Sequence, residues 1–67
     1  MKLSARNQLK GKIVEVTKGA TTSHVRIDIG GVILTASITN EAVADLALKK
    51  GDDAWAVIKA SDVMIGK

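Results

Sequence analysis

The feature that most constrains the fold is an alternating segment followed by two consecutive glycines. Apolar and polar residues alternate strictly from position 24 to position 29, which is typical of a β-strand with one buried face. Gly30 and Gly31 come next, and both can adopt the positive φ angles that a two-residue hairpin turn requires. Residues 32–38 alternate again. The sequence therefore predicts an antiparallel hairpin made of two half-buried strands.

The other segments predict further strands and one short helix. Residues 11–17 are rich in β-branched side chains, residues 54–60 alternate, and residues 63–65 are apolar, so we expect three more strands. Thr39 or Asn40 can cap a helix that Gly51 ends after about two to three turns. Residues 1–10 are predicted to form either an additional strand or an arm.

The predicted order is strand, strand, strand, helix, strand, strand, which is the chain order of an OB-type barrel. We therefore predict an all-β fold: a small OB-like five-stranded barrel with one short helix between strands 3 and 4, with residues 1–67 as one domain. A chain of 67 residues without cysteine has a small core and no disulfide to stabilise it. Because 46% of its residues are hydrophobic, we expect the barrel to be assembled as an oligomer.

The composition excludes most catalytic and metal sites. Cysteine is absent and histidine occurs once, which excludes thiolate sites and His-rich metal sites within one subunit. His24 lacks the arrangement of base and nucleophile that covalent catalysis needs. Gly30-Gly31 lacks the spacing and the following helix of a phosphate-binding loop. We therefore expect a protein that is not an enzyme and needs no cofactor.

Neither a membrane nor a nucleic acid is favoured as a partner. No apolar run approaches the about 20 residues that span a bilayer, and the N-terminus lacks the apolar core of a signal peptide, so we expect a cytoplasmic protein. OB-type barrels that bind single-stranded nucleic acid stack bases on aromatic side chains. This chain has one Trp and no Phe or Tyr, which argues against that function.

Two short segments combine a cation with hydroxyl or amide donors. They are residues 4–8 and residues 59–61, and together they offer one guanidinium, one ammonium, two hydroxyls and amide groups. A fully ionised oxyanion accepts hydrogen bonds and donates none, so such a donor set suits it. From the residues alone, an exposed arm and the end of a strand, without a ligand, are the favoured interpretation of these segments.

Four stretches of the chain together resemble the molbindins, the Mop-domain molybdate-binding proteins. They are residues 4–11 (SARNQLKG), 14–19 (VEVTKG), 36–39 (ASIT) and 58–65 (IKASDVMI). The resemblance implies an OB-like fold that binds molybdate or tungstate as an oxyanion ligand. It also implies a homo-oligomer, a hexamer built as a trimer of dimers, with anions held between subunits.

The resemblance also implies which residues bind the anion. Charge would come from the cationic side chains, and further donors would be hydroxyl, amide and backbone N–H groups. A second oxyanion site near a symmetry axis would lie in the loop between the first two predicted strands, at residues 18–24. An ordinary loop without a ligand is the alternative there. The main site would take Ser4, Ala5, Arg6 and Asn7 from one subunit and Lys59, Ala60 and Ser61 from another; the second would involve Gly19, Ala20, Thr21, Thr22, Ser23 and His24.

Three functions are compatible with this sequence. The leading one is a non-catalytic cytoplasmic molybdate- or tungstate-binding protein for storage or homeostasis. The second is a molybdate-sensing regulatory module that acts through a protein partner, with the same fold and site. The third, an OB-type single-stranded nucleic-acid binder, is the one that the missing aromatic residues argue against.

Overall fold

The protein is an antiparallel sheet with one short helix, described for residues 1–67 by a computed structural model. The all-β fold and the short helix between strands 3 and 4 are confirmed. A single turn of 3-10 helix follows the last strand. The elements are β1 (Asn7–Lys18), β2 (Thr22–Asp28), β3 (Ile33–Thr39), α1 (Asn40–Asp45), β4 (Asp53–Ile58) and the 3-10 turn Ala60–Asp62.

The long strand β1 organises the sheet, whose strand order is β3-β2-β1-β4. The first half of β1 pairs with β4 and its second half pairs with β2, both antiparallel. The β1–β2 register shifts between Ile13 and Glu15, and such an irregularity bends a strand and increases its twist. Because β1 changes partner along its length, the sheet curls into half of a barrel.

The predicted hairpin between β2 and β3 is confirmed, including its two-residue turn. The N–H of Ile29 donates to the carbonyl of Val32 at 2.9 Å across Gly30 and Gly31, whose φ angles are +109° and +93°. The Asp28 carboxylate accepts hydrogen bonds from the N–H groups of both glycines, each at 2.9 Å. These two bonds stabilise the ionised carboxylate and lower the pKa of Asp28.

The concave side of the sheet is apolar, but little of it is buried within one chain. Only three apolar side chains are buried: Ile13, Val25 and Ile27. The rest of this side borders an open apolar cleft of about 600 Å³. Leu46 and Trp55 are among its lining residues, and they remain 67% and 50% exposed. The core of a single chain is therefore incomplete.

The expected fifth strand is not formed within the chain. Residues 63–65 belong to no strand, and the 3-10 turn separates them from β4. Val63, Met64 and Ile65 are 45%, 93% and 90% exposed. The sheet of one chain therefore has four strands, and the prediction of five is wrong at this element.

The start of the first strand and the end of the helix also differ from the prediction. β1 begins at Asn7, so residues 7–10 belong to the first strand and only residues 1–6 precede it. The helix begins as expected, with the Thr39 hydroxyl accepting a hydrogen bond from the N–H of Ala42 at 3.0 Å. It ends at Asp45, well before Gly51. Its six residues make it far too short to cross a membrane, and the chain has no other α-helix.

Candidate functional site

The two donor-rich segments meet at one corner of the sheet. Asn7 and Ile58 are paired at the first residue of β1 and the last residue of β4. The Asn7 amide Nδ2 donates to the Ile58 carbonyl at 3.1 Å and closes this corner. Residues 4–6 therefore approach the sheet where residues 59–61 leave it. The structure brings both segments together within one chain, although they are more than fifty positions apart.

The charged and hydroxyl side chains at this corner are free of partners in the chain. Ser4, Arg6, Lys59 and Ser61 are exposed. The two salt bridges of the protein lie elsewhere, between Lys12 and Asp53 and between Glu15 and Arg26. Two unpaired cations next to the Asn7–Ile58 pair make this corner attractive to an anion.

Backbone groups at the same corner are arranged by two local contacts. The Gln8 side chain donates to the Ala5 carbonyl at 3.3 Å, which orients the segment before β1. After β4, the N–H of Asp62 donates to the Lys59 carbonyl at 2.9 Å and forms the 3-10 turn. The N–H groups of Ala60 and Ser61 open this turn and have no acceptor inside it. They are available to a ligand.

Asn7 has a structural role that the sequence did not reveal. One N–H of its amide is committed to Ile58, so one N–H of the amide nitrogen remains for an external acceptor. The register between the first and fourth strands determines this contact, and a strand pattern does not specify which strands are neighbours.

The loop between β1 and β2 forms a second polar feature, a recess of about 270 Å³. No apolar residue lines it. Three of the six residues expected at a second site lie there, namely Gly19, Thr22 and His24, and Thr17 and Lys18 join them. Thr17 was not expected, but it lies directly opposite His24 in the β1–β2 ladder.

The other three residues of that set have different surroundings. Ser23 is buried, and its hydroxyl donates to the Asn40 side-chain oxygen. Ala20 and Thr21 lie in the exposed turn. Their carbonyls accept hydrogen bonds from the side chain and the backbone N–H of Asn40, at 3.2 Å and 3.0 Å.

Asn40 is the residue that holds this loop in place, which the sequence did not indicate. The Asn40 Nδ2 donates to the carbonyls of Gly19 and Ala20, and its Oδ1 accepts from Ser23. Its sequence position suggested a helix cap, but Thr39 fills that role. Asn40 therefore connects the start of α1 to the loop between β1 and β2.

The chain is similar along nearly its whole length to proteins named for molybdenum or molybdate binding. Residues 3–65 match the TOBE domain family. A probable molybdenum-pterin-binding protein of Haemophilus influenzae is 49% identical over 67 residues, covering 98% of this chain and 97% of the relative.

Two solved structures share the fold. A molybdate-binding protein from Sporomusa ovata has a TM-score of 0.95 at 39% identity, with both chains fully covered. The cytoplasmic molybdate-binding protein ModG, crystallised with molybdate bound, has a TM-score of 0.91 at 45% identity. That match covers 96% of this chain and 46% of ModG.

Proposed function

Because the chain belongs to the TOBE domain family, we propose that it binds molybdate or tungstate as an oxyanion and catalyses no reaction. Its resemblance to the molbindins is confirmed by relatives and structures that match nearly the whole chain. The observation that carries the proposal is the corner at Asn7 and Ile58, where the unpaired cations Arg6 and Lys59 flank one strand pair.

The donors at this corner suit a fully ionised tetrahedral anion. Arg6 and Lys59 supply positive charge, and Ser4, Asn7 and Ser61 supply hydroxyl or amide donors. The N–H groups of Ala5, Ala60 and Ser61 complete the proposed donor set. Phosphate carries a proton near neutral pH, and a shell made only of donors leaves that proton without an acceptor. We therefore expect molybdate and tungstate to bind in preference to phosphate.

We propose that the site is completed by a second copy of the chain. With only three buried apolar side chains, one chain leaves its concave face open, and a small domain of this kind is stabilised by association. The exposed apolar residues Met64 and Ile65 are suited to pair with and cover the sheet of a neighbouring copy. The proposed assembly is a hexamer, a trimer of dimers. Because each chain presents both segments at one corner, copies that meet at their corners would hold an anion between the Ser4–Asn7 segment of one subunit and the Lys59–Ser61 segment of another.

The loop between β1 and β2 is the proposed position of a second oxyanion site. Gly19, Thr22 and His24 line the polar recess there. Ala20, Thr21 and Ser23 shape the loop around it through Asn40. The role proposed for this binding is storage or homeostasis of the anion in the cytoplasm, since the Haemophilus influenzae relative is named for binding alone. A sensing role would instead require a protein partner, which affinity capture from a cell extract with and without molybdate would detect.

The ligand is tested by native mass spectrometry with molybdate, tungstate or sulfate added. We expect the wild-type protein to retain molybdate and tungstate but not sulfate, because sulfate is smaller and would not fill the span between the donors of two subunits. Arg6→Ala and Lys59→Ala should each weaken retention at least tenfold, because each removes a charge-assisted contact. Lys67→Ala is the matched control, since it removes one positive charge outside the two donor segments. Equal affinities in all three variants would disprove the site assignment.

The assembly is tested with the C-terminal segment and the single Trp. Met64 is 93% exposed in one chain, so Met64→Asp should leave an isolated chain unaffected and should disrupt an assembly that buries this residue. Analytical ultracentrifugation measures the effect. Trp55, which is half-exposed in one chain, should fluoresce at longer wavelength if the variant dissociates. A wild-type protein that sediments as a monomer at all concentrations would exclude the shared site.

A further inference from the structure

Strand β3 lies at an edge of the sheet and has a neighbouring strand on one side only, namely β2. The N–H of Ile29 donates to the Val32 carbonyl, and hydrogen-bonded and non-hydrogen-bonded pairs alternate along an antiparallel ladder. The backbone N–H and C=O groups of Ile33, Thr35 and Ser37 therefore point away from β2. They have no partner within the chain, and we call them the free edge of β3.

The free edge lacks the features that keep edge strands from pairing with other chains. Natural edge strands usually carry a charged residue, a proline or a β-bulge. Between Asp28 and Glu41 this chain has no charged residue, and it has no proline anywhere. The register of the β2–β3 ladder has no shift along its length. The backbone groups of β3 are therefore open to another strand.

The opposite edge of the sheet differs from β3 in its charges. Strand β4 is the other outer strand. It begins at Asp53, whose carboxylate pairs with Lys12 at 3.2 Å, and Lys59 follows its last residue. These charged groups lose part of their hydration if another strand pairs beside them, which costs free energy. An added strand is therefore accepted more readily at β3 than at β4.

The sequence of β3 is suited to pair with a second copy of itself. In an antiparallel pair centred on Ala36, Thr35 of one copy lies opposite Ser37 of the other, and Leu34 lies opposite Ile38. Hydroxyl residues then meet on one face and apolar residues on the other, which stabilises cross-strand pairs. Since Thr35 and Ser37 both direct their backbone groups outward, they form the hydrogen-bonded pairs of the new ladder.

We propose that a folded chain with an uncovered free edge binds β3 of a second copy in antiparallel orientation, and that this pairing starts cross-β aggregation. Residues 33–39 have the uncharged, β-branched composition of segments that form such structure. The pairing competes with the assembly proposed above, because both draw on the same folded chains. The inference does not depend on the anion that the protein binds.

The test is refolding, because a refolding chain has an uncovered free edge until it meets its neighbours. The wild-type protein is unfolded in urea and diluted into buffer at a series of protein concentrations. We expect part of the chains to form aggregates that bind thioflavin T, and this part to grow with protein concentration. Refolding without such aggregates at every concentration would overturn the proposal.

Ser37→Lys places a charge at the free edge. Ser37 is exposed, and its backbone groups do not pair with β2, so the ladder stays intact. We expect the thioflavin T signal to fall at least about fivefold, because an edge lysine opposes strand addition. Ala44→Lys is the matched control, since it adds the same charge at an exposed residue of α1. Equal signals from the two variants would overturn the proposal.

Thr35→Pro is a second variant, and it decides the test if circular dichroism shows that Ser37→Lys does not fold. The N–H of Thr35 points away from β2, so proline there removes a donor for the second copy without breaking a bond of the sheet. Edge strands tolerate proline at such positions. We expect a reduction similar to that of Ser37→Lys. Undiminished aggregation by the folded Thr35→Pro variant would contradict the pairing.

A single cysteine reports the register of the pairing. The chain has no cysteine, so the thiol of an Ala36→Cys variant can form a disulfide only with another copy. The antiparallel pair centred on this position brings the two sulfur atoms together. Val32→Cys, just before β3, is the control. We expect several times more cross-linked dimer in aggregates of Ala36→Cys. Equal cross-linking would mean that another segment of the second copy pairs with β3, and would overturn the inference.

Native mass spectrometry with molybdate separates this inference from the proposed function. If the wild-type protein retains molybdate while Ser37→Lys and Ala44→Lys aggregate equally, the inference fails and the proposed function stands. If the wild-type protein retains no molybdate while Ser37→Lys alone suppresses aggregation, the proposed function fails and the inference stands.

Discussion

The Asn7 side chain donates a hydrogen bond to the Ile58 carbonyl at 3.1 Å, and this contact joins the first residue of β1 to the last residue of β4. The segment before Asn7 (residues 4–6) and the segment after Ile58 (residues 59–61) are the ones proposed to bind the anion. This amide group therefore helps to hold the two donor segments of one chain at the same corner of the sheet, from which each would face a neighbouring copy in the proposed assembly.

Replacing Asn7 by Asp should open this corner and weaken anion binding. The substitution keeps the shape of the side chain but removes the donor and places a negative charge beside a carbonyl oxygen. We expect a loss of about 1 to 2 kcal/mol in the free energy of unfolding, and a loss of at least tenfold in molybdate affinity. Urea denaturation at fixed protein concentration and calorimetric titration measure the two effects.

Gln8→Glu is the matched control for the charge introduced at Asn7. It makes the same change from amide to carboxylate one position away, where the contact with the Ala5 carbonyl is longer, at 3.3 Å. A control variant that loses as much stability and affinity as Asn7→Asp would contradict the special role of Asn7.

The local pattern of the sequence was sufficient to predict the strands but not the surroundings of each site residue. Strict alternation placed His24 and Val25 on opposite faces of β2, and the structure agrees. That Ser23 is buried against Asn40 depends on how the loop packs on α1. The period of a sequence pattern does not predict a contact between two residues as far apart in the chain as Ser23 and Asn40. The contribution of each residue to the main site, and its division between subunits, remain predictions.

The end of the helix shows a second limit of sequence patterns. Ala47 has a φ angle of +50°, the left-handed conformation in which helices usually place glycine. The N–H of Ala47 donates to the Ala44 carbonyl at 3.0 Å, and the N–H of Leu48 donates to the Val43 carbonyl at 3.1 Å. These two bonds form a Schellman motif. The prediction that the helix continues to Gly51 followed the glycine preference, which this chain does not obey at Ala47.

Ala47→Gly should consequently stabilise the protein. Glycine removes the steric cost of the left-handed conformation and leaves both capping hydrogen bonds in place, for an expected gain of about 0.5 to 1 kcal/mol. Ala44→Gly, within the helix, should instead lower the stability by about 0.5 to 1 kcal/mol. Thermal denaturation of the two variants at equal concentration distinguishes them. Destabilisation by both substitutions would contradict the assigned backbone strain.

The fifth strand was predicted from composition alone, and its absence has a physical cause. Val63, Met64 and Ile65 are apolar enough for a strand, but a strand also requires a neighbour with free backbone groups. The 3-10 turn Ala60–Asp62 separates the segment from β4. A sequence pattern describes the faces of a strand and does not show whether its partner belongs to the same chain.

Gly11 should tolerate no side chain, because β1 passes very close to the end of β2 there. A Cβ atom at this position would overlap the Asp28 carbonyl oxygen and would lie 2.9 Å from an Ile27 side-chain carbon. Since the first of these neighbours is backbone, a rotamer change cannot relieve the overlap. We expect Gly11→Ala to lower the free energy of unfolding by about 1 to 3 kcal/mol.

Gly66→Ala is the control for this substitution. Nothing lies within 4 Å of a Cβ atom built at Gly66, so its effect should remain within about 0.5 kcal/mol. Urea denaturation of both variants measures the difference. Similar stabilities for Gly11→Ala and Gly66→Ala would show that β1 and β2 can move apart at this point without lowering the free energy of unfolding.

Asp28 should make the stability of the protein depend on pH in the acidic range. The hydrogen bonds from Gly30 and Gly31 lower its pKa in the folded state, and the unfolded chain lacks them. The ionised carboxylate therefore contributes stability that is fully present above the ordinary aspartate pKa of about 3.9. That stability is lost as the pH falls through the lower pKa of the folded state.

The variant Asp28→Asn tests this dependence. It keeps an acceptor oxygen but cannot titrate, so its stability should fall less than that of the wild type between neutral and strongly acidic pH. Urea denaturation across this range measures both curves, with Asp45→Asn as a control because Asp45 accepts no hydrogen bond in the chain. If Asp28→Asn and Asp45→Asn follow the same curve, the two glycine N–H groups do not hold the carboxylate in its ionised form.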